Sequence, residues 1–205
     1  MDRELFTIKE KFRHKKPRAI DVKNAYSVLI PLIKRDNEVH ILFEKRALSL
    51  KNQPGEISFP GGGGIERGEN SRDAAIRETC EELLINKRDL SIIGKGDFLV
   101  NPYSAVIYSY VGILNIEFDA ISPSKEEVES IFTIPLDFFK INKPKSYKTK
   151  INLIREDSFP YELIPNGRNY KWKRAEGEMD FYVYKDIVIW GFTAKMLRNF
   201  IKNVY

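Results

Sequence analysis

The feature that most constrains this chain is a run of four glycines, Gly61 to Gly64, which leads within ten residues into an acidic segment of helical character. Glycine loses more backbone freedom on folding than any other residue, so we expect the run to form neither a helix nor an ordinary strand. What glycine offers is close approach of the backbone to a ligand. A flexible linker would mix glycine with serine between polar segments, whereas this run follows the largely apolar Ile57 to Pro60. The sequence therefore predicts a ligand-binding loop.

The segment after the glycines is predicted to be a helix, and Asn70 or Ser71 can cap it by accepting hydrogen bonds from the free N–H groups of the first turn. Successive side chains rotate by about 100° around a helix. One face of this helix is then apolar or small, and consists of Ile76, Thr79, Cys80 and Leu83. The opposite face carries Glu78, Glu81 and Glu82, whose i, i+3 and i+4 spacing predicts that the three carboxylates converge.

These carboxylates have little positive charge beside them, since Arg77 is the only adjacent cation. A charged helix face is most often simply solvated, but like charges at i and i+4 repel each other. We therefore predict a site for Mg²⁺ or Mn²⁺, which take oxygen ligands from carboxylates and from substrate phosphates. Glu78 and Glu82 are the predicted metal ligands, and a backbone carbonyl of Gly62 or Gly63 is a further candidate.

The spacing of these residues resembles a known family motif. Gly63 is followed by five residues and Glu69, and after seven more residues comes the segment Arg77-Glu78-Thr79-Cys80-Glu81-Glu82-Leu83-Leu84-Ile85. This resembles the Nudix box, which is a glycine, five residues, a glutamate, seven residues and then R-E-U-x-E-E-x-G-U, where U is apolar. The chain departs from the box at Leu84, where the box has glycine, and at Thr79. The extra glycine leaves the register of Gly61 to Gly64 open by one residue.

The resemblance implies metal-assisted hydrolysis of a diphosphate. Glu81 is either a further metal ligand or the base that accepts a proton from water. Arg77 is expected to orient a glutamate, with Glu69 as the implied partner. A plain i, i+4 ion pair between Arg77 and Glu81 is the alternative role for this arginine.

The resemblance extends upstream to a second motif. Arg46, Ala47 and Gly55 precede Phe59-Pro60-Gly61-Gly62 at the spacing of R-[SA]-x3-R-x3-G-x3-F-P-G-G, the motif of Nudix coenzyme A diphosphatases. Lys51 stands in place of the second arginine, which keeps the charge but loses a bidentate donor. The segment from Ile189 to Ala194 is similar to the closing I-W-G-x-T-A of the same group.

This second motif implies which residues bind the substrate. Arg46, Lys51, Gly61 and Gly62 would contact the phosphates of coenzyme A, including its 3′-phosphate. The products would be 3′,5′-ADP and 4′-phosphopantetheine or its acylated form. Ordinary surface charge is the alternative for Arg46 and Lys51.

The pattern of elements predicts an α/β or α+β fold, with helices on both faces of a mixed sheet. The resemblance implies the Nudix α/β/α sandwich, as a single domain over residues 1–205 with an N-terminal extension of about residues 1–22. Strands are predicted at residues 25–34, 39–45, 57–59, 90–94, 104–114, 131–135 and 181–190. Helices are predicted at residues 4–12, after Asn70, and at 193–204, and residues 140–157 are predicted to be mainly a long loop.

Charge and cysteine content indicate the cellular compartment and the kinds of partner to be expected. Cys80 is the single cysteine, so no internal disulfide can form and a reducing cytoplasm is expected. No apolar run approaches the roughly 18 residues that span a bilayer, and residues 1–16 are too charged for a secretory signal. The net charge is +5, with basic clusters at residues 14–18, 143–150 and 171–174. We expect them to be solvated or to attract a small polyanion rather than nucleic acid.

Several alternatives remain open from sequence alone. The substrate could be ADP-ribose, NADH, another dinucleotide or capped RNA, or the chain could be a non-catalytic nucleotide- or RNA-binding module. The intact set of glutamates argues against a pure binding module. Glu127 could add a remote carboxylate, although a solvated turn is the simpler interpretation, and His14 and His40 are expected to be incidental. A monomer or a homodimer acting on a small nucleotide is expected.

Overall fold

A computed structural model describes residues 2–15, 17, 19–173 and 175–205. Lys16, Arg18 and Arg174, which belong to the predicted basic clusters, lie outside the described residues. Within the described residues, the main sheet has eight strands, with the order β3-β2-β1-β7-β5, while β4 pairs with β1, β6 with β7 and β8 with β2. These strands are β1 (Asn24–Arg35), β2 (Glu38–Arg46), β3 (Ile57–Ser58), β4 (Gly61–Gly64), β5 (Leu90–Lys95), β6 (Leu99–Asn101), β7 (Ala105–Leu114) and β8 (Val128–Pro135).

Strand β1 divides one of its edges between two partners. Its carboxyl-terminal part pairs with β2 only from Leu32↔Ile41 to Arg35↔Glu38. Beyond that point β2 pairs with β8 and β3 instead, and β4 lies against the amino-terminal part of β1, with the pairs Tyr26↔Gly64 and Val28↔Gly61. The other edge of β1 pairs in parallel with β7. The glycine strand therefore lies where β2 separates from β1.

Two layers cover the main sheet. Helix α2 (Ser71–Leu83) packs on one face, in a core that includes Leu29, Leu42, Leu83 and Leu114. The other face is covered by α3 (Leu136–Ile141), α4 (Gly191–Val204) and a second sheet, which is formed by β9 (Lys145–Ile151), β10 (Ala175–Tyr184) and β11 (Ile187–Trp190) in the order β11-β10-β9. The predicted mixed sheet with helices on both faces is confirmed. Helix α1 (Arg3–Arg13) forms as predicted and buries none of its residues.

Three local predictions need correction. Gly61–Gly64 was expected not to form strand, but it pairs with β1 through an irregular register. Residues 181–190 form a hairpin rather than one strand, because Lys185 takes a φ of 55° and turns the chain between β10 and β11. The predicted long loop contains β9, whose exposed lysines hide its pairing with β10 from a hydrophobic pattern.

Helix α2 ends in a backbone conformation that suits glycine better than the residue present. Leu84 has φ 51° and ψ 43°, and its backbone N–H donates to the Cys80 carbonyl. A residue with a Cβ pays about 1 kcal/mol or more in this left-handed region, and the Leu84 side chain is 65% exposed, so it gains little from burial. The departure from the box motif at this position is therefore a local strain at the helix end.

We expect Leu84→Gly to stabilise the protein by about 0.5–1 kcal/mol, because the relief of strain exceeds the added entropy of the unfolded chain. Thermal unfolding should then shift upward by roughly 1–4 °C for a chain of this size. Leu153→Gly is the matched control, since Leu153 is 69% exposed but has no positive φ. A Leu84→Gly protein that melts no higher than the wild type would contradict this account.

Candidate active site

Arg77 is the centre of an ion-pair network at the surface of α2. Its Nε donates to Glu69 Oε1 at 3.1 Å and its Nη2 to Glu69 Oε2 at 3.2 Å, which makes a bidentate pair. Its Nη1 donates to Glu78 Oε1 at 2.6 Å and to Glu81 Oε2 at 3.0 Å. The predicted contact with Glu69 and the alternative contact with Glu81 are thus both present. The hydrogen bonds from Arg77 lower the pKa of Glu69, and the Glu69 and Glu78 carboxylates raise the pKa of Arg77.

Glu82 is buried against the glycine strand. Glu82 is only 5% exposed, and its Oε2 accepts a hydrogen bond from the Gly61 N–H at 2.5 Å. Gly61 has φ 99°, and a Cβ there would lie 2.7 Å from the Ser27 carbonyl oxygen. Only glycine lets β4 come this close to β1 while still presenting its N–H to the helix. Burial is the main cause that raises the pKa of Glu82, followed by the nearby Glu44 carboxylate.

Gly63 makes room for Glu78. A Cβ at Gly63 would overlap the Glu78 carboxylate, whereas one at Gly64 would meet nothing within 4 Å. The Glu78 side chain is 16% exposed and lies between this glycine and Arg77. Gly63 is therefore the glycine against which Glu78 packs.

The predicted convergence of Glu78, Glu81 and Glu82 is only partly correct. The Glu81 side chain is 58% exposed and turns outward to Arg77, while Glu82 faces inward. Neighbouring helical side chains point about 100° apart, and here this rotation turns Glu81 to solvent and Glu82 toward the sheet. Glu82 continues the buried stripe of Ala75 and Thr79 that packs on the sheet.

Glu44 and Glu82 form a buried acidic group, and Glu44 was not among the residues that the sequence predicted for the site. It lies in β2, none of its surface is exposed, and its Oε1 accepts a hydrogen bond from the Ser58 hydroxyl at 2.8 Å. Burial raises its pKa, and the same carboxylate raises that of Glu82. A charged residue directly after the largely apolar segment from Val39 to Phe43, and two positions before Arg46, was the signal that could have revealed it.

The donor set of this region suits a hard divalent ion. Glu44, Glu78 and Glu82 supply only carboxylate oxygens, and Glu44 Oε2 is buried without a hydrogen-bond partner in the described part of the chain. Neither Glu44 nor Glu82 forms an ion pair with a described residue. No group of three or more acidic, histidine or cysteine side chains is gathered around one point among the described residues. Mg²⁺ is commonly held by one or two carboxylates with water and phosphate oxygens, which fits this arrangement.

A cleft of about 330 Å³ adjoins the glycine strand. Gly61, Gly62 and Arg46 line it, together with Asn101 and Phe192. The Nε of Arg46 is buried and lacks a partner among the described residues, while its Nη2 reaches the Asn52 carbonyl at 3.4 Å. The structure thus brings three of the four predicted substrate-binding residues to one cavity. Lys51 is exposed and does not line this cleft.

The structure also places the residues whose role the sequence left open. Glu127 is exposed, but it precedes β8 near the buried acids and raises the pKa of both Glu44 and Glu82. His40 is buried on β2 beside Thr133, with Nδ1 and Oγ1 3.1 Å apart, and His14 is exposed after α1. Asn101 and Phe192 were not predicted to line the cleft, although Phe192 lies within the closing motif.

A buried acidic group, a glycine strand and a cleft that contains Arg46 thus lie next to one another in the structure. The Nudix domain family matches residues 23–156. The chain therefore belongs to the Nudix hydrolase family.

Individual relatives agree with this assignment. Nudix hydrolase 3 of Caenorhabditis elegans is 30% identical over 90% of this chain and 76% of its own length. The peroxisomal coenzyme A diphosphatase NUDT7 of Mus musculus is 30% identical over 72% of this chain and 63% of its own length. A MutT/nudix family protein from Enterococcus faecalis superposes with a TM-score of 0.51 at 12% identity, over 100% of this chain and 70% of that chain, which supports the fold alone.

Among the described residues, no helix is both long and apolar enough to span a membrane.

Proposed function

We propose that this protein hydrolyses the diphosphate linkage of coenzyme A or of an acyl-coenzyme A with Mg²⁺ or Mn²⁺, giving 3′,5′-ADP and 4′-phosphopantetheine or its acylated form. The observation that carries the proposal is the position of Arg46 in one cleft with Gly61 and Gly62, because Gly61 also bonds to the buried Glu82. A cationic partner for phosphate and an acidic group for a metal thus adjoin the same strand. The similarity to the mouse coenzyme A diphosphatase supports the same substrate class.

The residues around Arg77 would carry the chemistry. Glu78 and Glu82 are proposed to hold the ion, which when bound would neutralise phosphate charge and lower the pKa of a bound water. Arg77 fixes the Glu78 carboxylate through Nη1, and the bidentate pair with Glu69 holds Arg77 itself in place. Glu81 shares that Nη1 with Glu78, so it is held at the rim, where it would accept the proton of the attacking water or complete the ligand set.

An apolar groove continues from the cleft and suits the rest of a coenzyme A thioester. The groove measures about 420 Å³ and is lined by Pro54, Phe181, Val188 and Trp190, and it shares Glu56 and Ile57 with the cleft. The Phe181 and Trp190 rings are stacked with centroids 6.1 Å apart. A pantetheine arm or a short acyl chain would bury apolar surface there, which favours binding by about 25 cal/mol per Å².

A substrate panel tests the proposal directly. Purified protein with Mn²⁺ would be given coenzyme A, acetyl- and octanoyl-coenzyme A, ADP-ribose, NADH, a dinucleoside polyphosphate and capped RNA, and the products would be identified by mass. We expect 3′,5′-ADP to be released from the coenzyme A compounds at the highest kcat/KM. Preferred cleavage of another compound would contradict the proposed substrate. If none of the compounds were cleaved, a non-catalytic binding module would be favoured.

Arg46→Ala should raise KM for coenzyme A by roughly 10-fold or more while raising KM for 3′-dephospho-coenzyme A much less, because a charge-assisted bond to the 3′-phosphate contributes about 1.5–3 kcal/mol. Steady-state kinetics on both compounds would measure the difference.

Lys51→Ala is the comparison variant. Lys51 is exposed outside the cleft, so its loss should change either KM by less than Arg46→Ala does. Equal effects of Arg46→Ala on the two compounds would remove the 3′-phosphate role from this arginine.

We also propose that residues 1–205 act as one Nudix domain with an N-terminal extension of about residues 1–22. The proposed setting is the cytoplasm, with a monomer or a homodimer acting on a small nucleotide. The exposed α1 agrees with an extension, since it buries none of its residues.

A further inference from the structure

Glu44 is fully buried and, unlike the equally buried Asp180, has no ion pair with an arginine of the described residues. It lies within the main sheet, where β2 pairs it with Ser58 of β3 on one side and with Ile131 of β8 on the other. Neither its side chain nor its backbone reaches solvent. Glutamate is almost never fully buried unless it is paired, so this position needs a chemical reason.

The hydrogen bonds of Glu44 leave half of its carboxylate without a partner. Oε1 receives the Ser58 hydroxyl at 2.8 Å, whereas Oε2 is buried without any partner among the described residues. Arg46 is near enough to lower its pKa, but the two form no ion pair. A buried carboxylate that lacks a cation is costly and tends either to take up a proton or to coordinate a metal.

The surroundings of Glu44 favour the metal. The Glu44 carboxylate raises the pKa of Glu82, and Glu127 raises the pKa of both. Glu82 has a hydrogen bond from Gly61 to only one of its oxygens, Oε2. Two buried carboxylates from different elements, β2 and α2, are thus linked through one short segment, since Ser58 donates to Glu44 and Gly61, three residues later, donates to Glu82. A divalent ion would turn this mutual repulsion into attraction.

We propose that Glu44 is a ligand of the divalent ion, supplying from β2 a carboxylate that joins Glu82 of α2. The inference rests on the proposed metal-dependent function and adds a ligand that lies outside the glutamates of the box motif. Glu44 and Glu82 would contribute two carboxylates, and water and substrate phosphates would complete the coordination, which is the usual manner of Mg²⁺ binding.

The test is Mn²⁺ binding to the full chain without substrate, followed by electron paramagnetic resonance of free Mn²⁺. The wild type, Glu44→Gln, Glu82→Gln and Glu38→Gln would be freed of metal with a chelator and titrated. Glutamine preserves the size of Glu44 and can still accept the Ser58 hydroxyl. Glu38→Gln is the matched control, because Glu38 lies on the same strand but is exposed.

We expect the Kd for Mn²⁺ to rise at least about 10-fold in Glu44→Gln and to stay unchanged in Glu38→Gln. The metal-free Glu44→Gln protein should melt no lower than the wild type, since it no longer buries an unpaired carboxylate, and its gain in melting temperature with Mn²⁺ should shrink. A Kd within twofold of the wild type in Glu44→Gln, beside a clear loss in Glu82→Gln, would overturn the role of Glu44 and leave the proposed function standing. If the wild type bound no Mn²⁺, both would fail.

Discussion

Glu82→Gln should lower kcat by roughly 10³-fold or more with the coenzyme A substrate, while the protein remains folded. The reason is that the amide cannot balance the charge of a divalent ion, whose stabilisation of phosphate charge is worth several kcal/mol. Glutamine can still accept the Gly61 N–H that reaches the Glu82 Oε2 at 2.5 Å. Single-turnover assays across a range of Mn²⁺ concentrations would measure the loss, and an undiminished rate would reject the metal assignment.

The stability of this variant provides its control. In the folded protein, burial raises the pKa of Glu82 to about 9 and that of Glu44 to about 8. Above a pH of about 4.5 the folded state therefore holds more protons than the unfolded state. The metal-free wild type should then lose stability as the pH rises toward 9. The loss is up to about 1.4 kcal/mol per pH unit for each proton that only the folded state retains.

Glu82→Gln removes one titrating group from this pair, so its melting temperature in chelator should fall less between pH 6 and pH 8.5. Calorimetry at the two values would show the difference in slope. A variant that melts far below the wild type at both values would mean that the lost activity came from a damaged fold.

Gly63→Ala should lower kcat/KM by roughly 100-fold while changing the free energy of unfolding by less than about 1 kcal/mol. The added methyl group would occupy the space that the Glu78 carboxylate fills. Because that carboxylate is the end of a flexible side chain, it can swing away at little cost in stability. It would then leave both Arg77 Nη1 and the proposed ion.

Gly64→Ala is the matched control, since a Cβ there meets nothing within 4 Å and neither glycine has a positive φ. Kinetics and thermal melts of the two variants should therefore separate clearly. If Gly64→Ala were the inactive variant and Gly63→Ala were active, the packing of Glu78 against β4 would be wrong.

The sequence predicted the elements that local patterns specify. Asn70 does cap α2, by accepting hydrogen bonds from the backbone N–H groups of Arg72 and Asp73. The β1–β2 hairpin and α4 also form close to the predicted limits. In each case the signal is contained within a few neighbouring residues, in a cap, a turn or a repeat of apolar positions.

Features that depend on distant partners were not predictable in the same way. Strand character in Gly61–Gly64 is imposed by β1, since glycine has no preference for it. Glu44 joins the acidic group only because the sheet carries β2 past α2, and no spacing in the sequence relates residue 44 to residue 82. Glu81 was wrongly predicted to converge with Glu82. A helical wheel shows which side chains are near each other, but it does not show which of them the sheet covers.

The separation of β2 from β1 beyond Leu32↔Ile41 has a mechanical consequence. Arg46 is carried on the ribbon of β2, β3 and β8, whereas the glycines are attached to the body of the molecule through β1. An ion shared by Glu44 of β2 and Glu82 of α2 would link these two parts, so that bound metal would also help to hold Arg46 at a fixed distance from the glycines.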